Sequence, residues 1–355
     1  MRNAPAALGA LCIDLMAPGD AAAWDAYVTR HPDGTIFHRA GWAQAAQAAY
    51  GWDSPFLIAR RGDEIVGGLP LTDVRSPLLG CSLISTAYCV GGGPIGDDAQ
   101  IVDALAARAL AMGVERNAQY IECRSNAIRN PAWITKMGTH ATFGLDLFKD
   151  EEEALAAIPR KRRAEIRKAL AHEDVGALSI DVANDSAAFY RLYARALRDH
   201  GTPVFPARFL SALIDAFRDE TEISIARHDG RAVAALLSFY DDDTVRPYYI
   251  GAAREARSLR AGDLLYWRKM RRAVAKGCVR FDFGRSQIGE GPFHYKKSWG
   301  CAPEPVIYQC ALINAKAAPN LNARNPAFSR LSSAWRRMPL GLANRLGPLI
   351  AGNFP

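Results

Sequence analysis

No CxxC pair occurs in these 355 residues; the seven cysteines stand singly at 12, 81, 89, 123, 278, 301 and 310. The spacing and the odd count argue against a structural zinc site and against a disulfide framework. A reducing cytoplasm is therefore the expected location. No apolar run reaches the roughly 18–20 residues that cross a bilayer. The opening stretch MRNAPAALGALCIDLMAPGD carries an arginine and a short apolar run, but Asp14 interrupts that run early. ALCIDLM reads as a first strand rather than as part of a secretory leader. Also missing are a GxSxG elbow and a Cys/His signature of a covalent nucleophile. Neither sign of charge dominates, because 44 Lys+Arg against 37 Asp+Glu leave +7. That modest excess permits anionic ligands, tRNA or an anionic membrane surface, and selects none of them.

What is present suits a globular chain: 49% hydrophobic and 23% charged residues, enough for sizeable cores, at a length that suggests two domains. Residues 20–30 and 39–50 read as short helices. PFLIARRGDEIVGGLPLTDV (55–74) reads as two strands around a Gly-Asp turn. An apolar strand ending in three glycines (81–96), an amphipathic helix (99–114) and a strand (118–124) follow. A mixed α/β unit thus ends near residue 150.

The next unit opens with DEEEALAAIPRKRRAEIRKALAHE (150–173). Its acids sit at a helix start, where the macrodipole favours them. Pro159 breaks that helix, and a basic one follows with six Lys/Arg in residues 160–168. This is either a phosphate-binding face or a solvated one. The spacing of Phe189, Leu192, Tyr193, Ala196 and Leu197 predicts one apolar helical face, stopped by Gly201. A helix (207–219), three strands turning at Asp229-Gly230 and Asp241–Asp243, and a helix (261–277) complete the pass. The halves repeat one order of elements, with RRGDEIVGGLPL (60–71) and RHDGRAVAALLSF (227–239) in matching places. The expected organisation is 1–150, 151–315 and a basic amphipathic tail, 316–355. That tail either lies on an anionic leaflet or clasps the second domain.

FDFGRSQIGEGPFHYKKSWG (281–300) gathers unusual chemistry. A strand triplet runs into Gly284, Gly289 and Gly291, with Arg285, Lys296 and Lys297 among Phe293, Tyr295 and Trp299. Backbone freedom, cations and aromatic area together suit a pocket for an anionic group. Asp282 and Arg285 are the expected central pair: Arg285 grips a phosphate or carboxylate, and Asp282 orients a donor or accepts a proton. Bracing of the strand end is the competing role. Adjacent Lys296 and Lys297 diverge in any regular structure, so one enters the pocket, and Lys296 is chosen. Arg246, Tyr248 and Tyr249 lie on a strand beside the cleft; alternation brings one tyrosine to it, and Tyr248 is the choice. Core packing explains either tyrosine equally well.

The order IPRKRRAEIRKAL (158–170), HGTPVFP (200–206), RPYYIG (246–251), LLYWRKMRRAVAKG (264–277), the 281–300 loop and the tail from 323 to 348 resembles the FemAB-related proteins, in the branch associated with exosortase/PEP-CTERM and exopolysaccharide systems. The match runs over nearly the whole chain. It implies an α/β (α+β) fold of two tandem GNAT-like domains, each a mixed sheet flanked by helices. The implied activity is transfer of an acyl or aminoacyl group to an amine, linked to exopolysaccharide or cell-envelope synthesis. Implied partners are a small-molecule, lipid or saccharide amine as acceptor and acyl-CoA or aminoacyl-tRNA as donor substrate. Separately, the basic amphipathic character of the tail adds peripheral inner-membrane contact to the expected partners; no tightly bound cofactor, no metal and no DNA are expected.

By the same resemblance, His200, Thr202 and Ser286 join Arg246, Arg285 and Lys296 as substrate-binding residues, with Asp282 and Tyr248 as catalytic ones. Arg260 and Gly262 stand where CoA-using relatives hold pyrophosphate at a helix start. RSLRAGD (257–263) lacks the second glycine of the Arg/Gln-x-x-Gly-x-Gly/Ala pattern, and Asp263 disfavours phosphate. Two departures make the 281–300 loop less typical. Gln287-Ile288-Gly289-Glu290-Gly291 stands for Lys-x-Gly-Thr-Gly, and Trp299-Gly300-Cys301 for Trp-Gly-Phe. A catalytically degenerate pair that binds a saccharide or lipid for an envelope assembly is the alternative.

Overall fold

The computed structural model describes residues 9–77, 80–125, 127–318 and 326–353. The beginning of the opening stretch (1–8), ahead of the expected first strand, and of the tail motif (323–325) lies outside them. Contacts divide the chain into two units: Met1–Met137 with Val306–Asn320 and Gly352–Pro355, and Gly138–Pro305 with Leu321–Ala351. The expected boundaries at 150 and 315 differ from these at two strands. His140–Asp146 pairs antiparallel with Arg280–Asp282 in unit two, and Ile307–Leu312 pairs with Tyr120–Ser125 in unit one. Alternation in a sequence announces a strand but not the sheet that will accept it.

Unit one has a four-stranded sheet (Leu11–Leu15, Leu57–Arg61, Glu64–Leu69, Ile95–Gly96) and a five-stranded one (Thr72–Ser76, Gly80–Ile84, Tyr120–Ser125, Ile307–Leu312, Ile134–Lys136). Helix Ala99–Glu115 begins where the Asp98 carboxylate accepts from the Ile101 N–H at 2.9 Å, satisfying a donor that the first turn leaves open. The apolar 81–96 segment is not one strand. Pairing stops at Ile84, and Thr86 (φ 40°) and Tyr88 (φ 63°) turn the chain through the left-handed region. The last of the three glycines packs against backbone instead: a Cβ at Gly93 would stand 2.7 Å from the Arg124 carbonyl oxygen.

Unit two is built on an eight-stranded sheet. Its core is aromatic: Phe143, Trp267, Phe281, Phe283 and Trp299 are each at most 2% exposed. Full burial of each such side chain stabilises by about 1.5–3 kcal/mol. Asp150 caps helix Glu151–Ala157 by accepting from the Glu153 N–H at 2.8 Å. Pro159 separates it from the basic helix Arg160–Asp174. Helix Ser186–His200 ends at Gly201, whose φ of 81° closes the turn.

The duplication reaches a single residue. In unit one the hairpin register slips between Ala59 and Arg60, leaving Val66 bulged opposite them; in unit two it slips between Ala226 and Arg227, leaving Val233 bulged. Ile58-Ala59-Arg60 and Ile225-Ala226-Arg227 thus hold equivalent places on equivalent hairpins. In both units a strand, a helix and a parallel strand follow: Gly80–Ile84, Ala99–Glu115 and Tyr120–Ser125, then Thr244–Ala252, Ala261–Ala275 and Arg280–Asp282.

Candidate active site

Strands Thr244–Ala252 and Arg280–Asp282 are parallel neighbours, but only Thr244↔Arg280 and Val245↔Phe281 face each other. The longer strand continues to Ala252 without that partner. Along its other edge the register slips: Ser238 faces Pro247 and Leu237 faces Tyr249, so Tyr248 is an extra, bulged residue. A bulge bends its strand and sharpens the twist. The pair therefore opens as a fork just past Val245.

Arg246 and Asp282 stand at that fork. The Arg246 guanidinium donates to Asp282 and, at 2.9 Å, to Asp241. Burial opposes its charge, but the two carboxylates more than offset this and hold it protonated more firmly than an ordinary arginine. The second Asp282 oxygen accepts from the Gly284 N–H at 2.7 Å. Asp282 therefore has an ion-pair partner in Arg246, where the sequence suggested Arg285. Gly284, at φ 68°, turns the chain between Asp282 and Arg285.

Helix Gly291–Lys297 points successive residues at different elements. Phe293 packs edge-on against Phe143 at 5.2 Å, and Tyr295 turns towards helix Ala261–Ala275. Lys296 donates to the carbonyls of Gly284 and Arg285 at 3.0 and 2.9 Å. Lys297 and His294 are exposed. Burial pushes the Lys296 ammonium down to about 8; the Asp282 carboxylate resists that shift and the Arg285 guanidinium reinforces it. Half-buried Arg285 thus shares the mouth of the fork with Lys296. The Ser286 hydroxyl is buried with no hydrogen-bond partner among the described residues. Tyr248 is half-buried against Phe239 and Tyr249. Tyr249 is buried against Tyr193 and Phe205, at 5.4 and 5.3 Å.

Other sequence candidates lie in different surroundings. His200 and Thr202 are exposed, and the His200 carbonyl accepts from Arg336 of the tail at 3.3 Å. Arg260 begins helix Ala261–Ala275 with its guanidinium on Glu165, and its own carbonyl takes the N–H groups of Asp263 and Leu264. Asp263 is buried in that first turn, accepting from Arg162 at 2.5 Å and from the Tyr295 hydroxyl at 2.8 Å. Arg162 also donates to Ser298 and lies over the Tyr295 ring, 4.4 Å from its centroid. Carboxylates of the protein itself thus occupy a helix start that otherwise suits an anion. Arg162 was hidden in the sequence by its basic run, since nothing in 160–168 distinguishes the guanidinium that reaches Asp263 from Arg163, which donates to the Leu155 and Ala156 carbonyls, or from the exposed Arg160, Lys161 and Arg167. Its buried partner, Asp263, was the available signal.

In unit one the corresponding fork is closed. Past Ile84 the chain curls back, and buried Arg124 donates to the Cys89 carbonyl at 3.0 Å and to Glu122 at 3.1 Å. Among the described residues no cluster of His, Cys, Asp and Glu could hold a metal ion, and no helix is long and apolar enough to cross a membrane.

Residues 160–297 match the acetyltransferase (GNAT) domain family. No curated protein matches the sequence. Among solved structures, FemX superimposes with a TM-score of 0.65 at 14% identity, covering 85% of this chain and 97% of its own. L-PGS from Bacillus licheniformis gives 0.56 at 10%, covering 92% and 99%. A tandem GNAT protein from the clavulanic acid biosynthesis pathway gives 0.51 at 12%, covering 88% and 100%. Identities this low speak for the fold alone, and the fold is that of two tandem GNAT-like domains.

Proposed function

We propose that this protein is an N-acyltransferase that moves an acyl or aminoacyl group onto an amine, with its chemistry at the fork of unit two. The supporting observation is the position of Lys296: a partly desolvated ammonium, fixed by two carbonyls, beside a parallel strand pair that parts. In such a transfer the amine nitrogen attacks the donor carbonyl, a tetrahedral oxyanion forms, and its collapse expels the donor's oxygen or sulfur while the amine loses a proton. Positioning in the fork can contribute about 7–11 kcal/mol in favourable cases. A cationic donor at the oxyanion is worth roughly 2.7–4 kcal/mol; Lys296, with Arg285 beside it, fills that role in our reading. Tyr248 is the group proposed to relay the amine proton. Asp282, already committed to Arg246 and to the Gly284 N–H, orients the fork. Ser286 supplies an unmatched hydroxyl for substrate.

The filled helix start favours one donor class over the other. A pyrophosphate there would meet Asp263 and Glu165, so an ester donor such as an aminoacyl-tRNA suits the site better than CoA. Exposed Arg160, Lys161 and Arg167 form no hydrogen bond or ion pair among the described residues and offer the backbone of such a donor a landing face. An acceptor in the cell envelope or an exopolysaccharide rests only on the resemblance of the motifs. The test is mass spectrometry of acylated product from purified protein, charged tRNAs or acyl-CoAs, and a panel of primary amines. Product that disappears in Arg285→Ala and Lys296→Ala, with each variant still folded by circular dichroism, is expected. Wild-type turnover in both variants would sink the assignment, and no product from any donor would favour the non-catalytic binding role.

A further inference from the structure

We propose that the outer face of the C-terminal helix pair docks the protein on an anionic lipid surface. The inference rests on residues outside the fork and does not depend on the acyl-transfer reading. Of the net +7, residues 305–355 account for six: Lys316, Arg324, Arg330, Arg336, Arg337 and Arg345, with no Asp or Glu among them. The first 304 residues are nearly neutral.

Helices Pro326–Arg337 and Leu340–Ala351 both pack on helix Ser186–His200. The inward face of the second helix is a stripe of small buried residues, Ala343, Gly347 and Ala351. A Cβ on Gly347 would come within 3.0 Å of the Val204 backbone, so this face is fitted to unit two. Trp335 is the buried anchor of the first helix, and Arg336 and Arg198 tie the pair down through backbone carbonyls. These are the contacts of a clasp.

At about 100° per residue, Leu342, Arg345 and Leu349 form a second stripe directly opposite the small one. Leu342 and Leu349 are 47% and 73% exposed, and Leu331 on the first helix is 66% exposed. Arg330, Arg337 and Arg345 are exposed and make no ion pair or hydrogen bond among the described residues. A clasp needs one apolar face; this pair has two, and the outer one interleaves leucine with unpaired arginine. Leucines entering the acyl boundary while arginines meet headgroup phosphates is the pattern of an interfacial helix. A nucleic acid would use the arginines but leave the leucines in water, which favours lipid over RNA.

The test is flotation of the full-length protein with vesicles of phosphatidylcholine alone and of phosphatidylcholine with phosphatidylglycerol, at low and high salt. Flotation only with phosphatidylglycerol, reversed by salt, is expected. Each of Arg330→Gln, Arg337→Gln and Arg345→Gln should lower the partition coefficient roughly fivefold. The double variant Leu342→Ser with Leu349→Ser should weaken binding while leaving its salt dependence. All five substitutions are at exposed positions, so unchanged thermal melting checks the fold. Absence of flotation with phosphatidylglycerol, equal flotation by the variants, or arginine-dependent binding to tRNA with no flotation would each overturn the proposal.

Discussion

Replacing Lys296 by arginine separates a charge requirement from a merely structural one. In the native protein burial brings the ammonium down to about 8 from an ordinary 10.5. Its charge is therefore complete well below pH 8 and is lost as pH rises through that value. The charged fraction falls from about ten in eleven at pH 7 to about one in eleven at pH 9, given a midpoint near 8. A guanidinium keeps its charge across the same interval. The acceptor amine also titrates and becomes a better nucleophile as pH rises, which obscures the profile of either protein alone. The ratio of native to Lys296→Arg kcat/KM cancels that term. We expect this ratio to fall about tenfold between pH 7 and 9. A flat ratio would show that the charge of Lys296 plays no part in the reaction, leaving its two carbonyl contacts as a structural tether. A ratio that rises would assign the neutral amine, acting as a base, to the rate-limiting proton transfer.

Three further outcomes are expected. Lys269 is completely buried and donates to Glu222 at 2.5 Å. Burial alone would raise the Glu222 carboxyl, but Lys269, Arg272 and Lys276 bring it down to about 2. Glu222→Gln strands a buried ammonium and should cost about 3–5 kcal/mol in urea unfolding, whereas joint replacement of both partners by apolar residues should restore most of it. The depressed carboxyl stabilises the fold above about pH 4.5, and that contribution is lost as pH falls through about 2; the acid limb of stability should flatten in Glu222→Gln. Gly251→Ala should destabilise by about 1–3 kcal/mol, because its Cβ would lie 2.3 Å from the Tyr193 backbone nitrogen; an unchanged melting temperature would disprove the tight approach of helix and sheet. Acetyl-CoA should produce no thermal shift in the native protein, since Asp263 and Glu165 hold the helix start, and a clear shift would place CoA back among the donors.

Much of this was legible in the sequence where the physics is local. The turn at Asp229-Gly230, the stop at Gly201, the break at Pro159 and the buried Phe281 and Phe283 flanking Asp282 each depend on a few neighbouring residues. Even the duplication could be seen, because a hairpin carries its own pattern. The missing parts are those that neighbours cannot specify. Arg246 meets Asp282 across a pair of strands that the sequence did not place side by side. His140–Asp146 and Ile307–Leu312 each join a sheet whose other strands lie far along the chain. The tail shows the same limit in another form. Its amphipathic character was visible, but a clasp and a membrane face are both amphipathic, and the sequence does not say which stripe packs on helix Ser186–His200.

Why one half should keep an open fork while its duplicate closes follows from what each fork contains. In unit one, the buried pair Arg124 and Glu122 is joined by Lys136 at 3.3 Å, and the strand that would continue past Ile84 curls onto Arg124 through left-handed Thr86 and Tyr88. Non-glycine residues in that region cost of order 1–3 kcal/mol each, so the closure is maintained against strain by contacts that fill the space. In unit two the bulge at Tyr248 opens the strands, Arg246 is committed to Asp282 and Asp241, and Lys296 holds two carbonyls with a weakened proton. The two GNAT-like domains thus share the hairpin and differ at the fork, where unit one is sealed and unit two holds the site proposed for transfer. Sealing unit two in the same way, with Lys296→Met, should raise its melting temperature and abolish transfer together. Loss of transfer without any stabilisation would mean that the fork is already as well packed as its closed counterpart, and the proposed trade between reactivity and stability would fail.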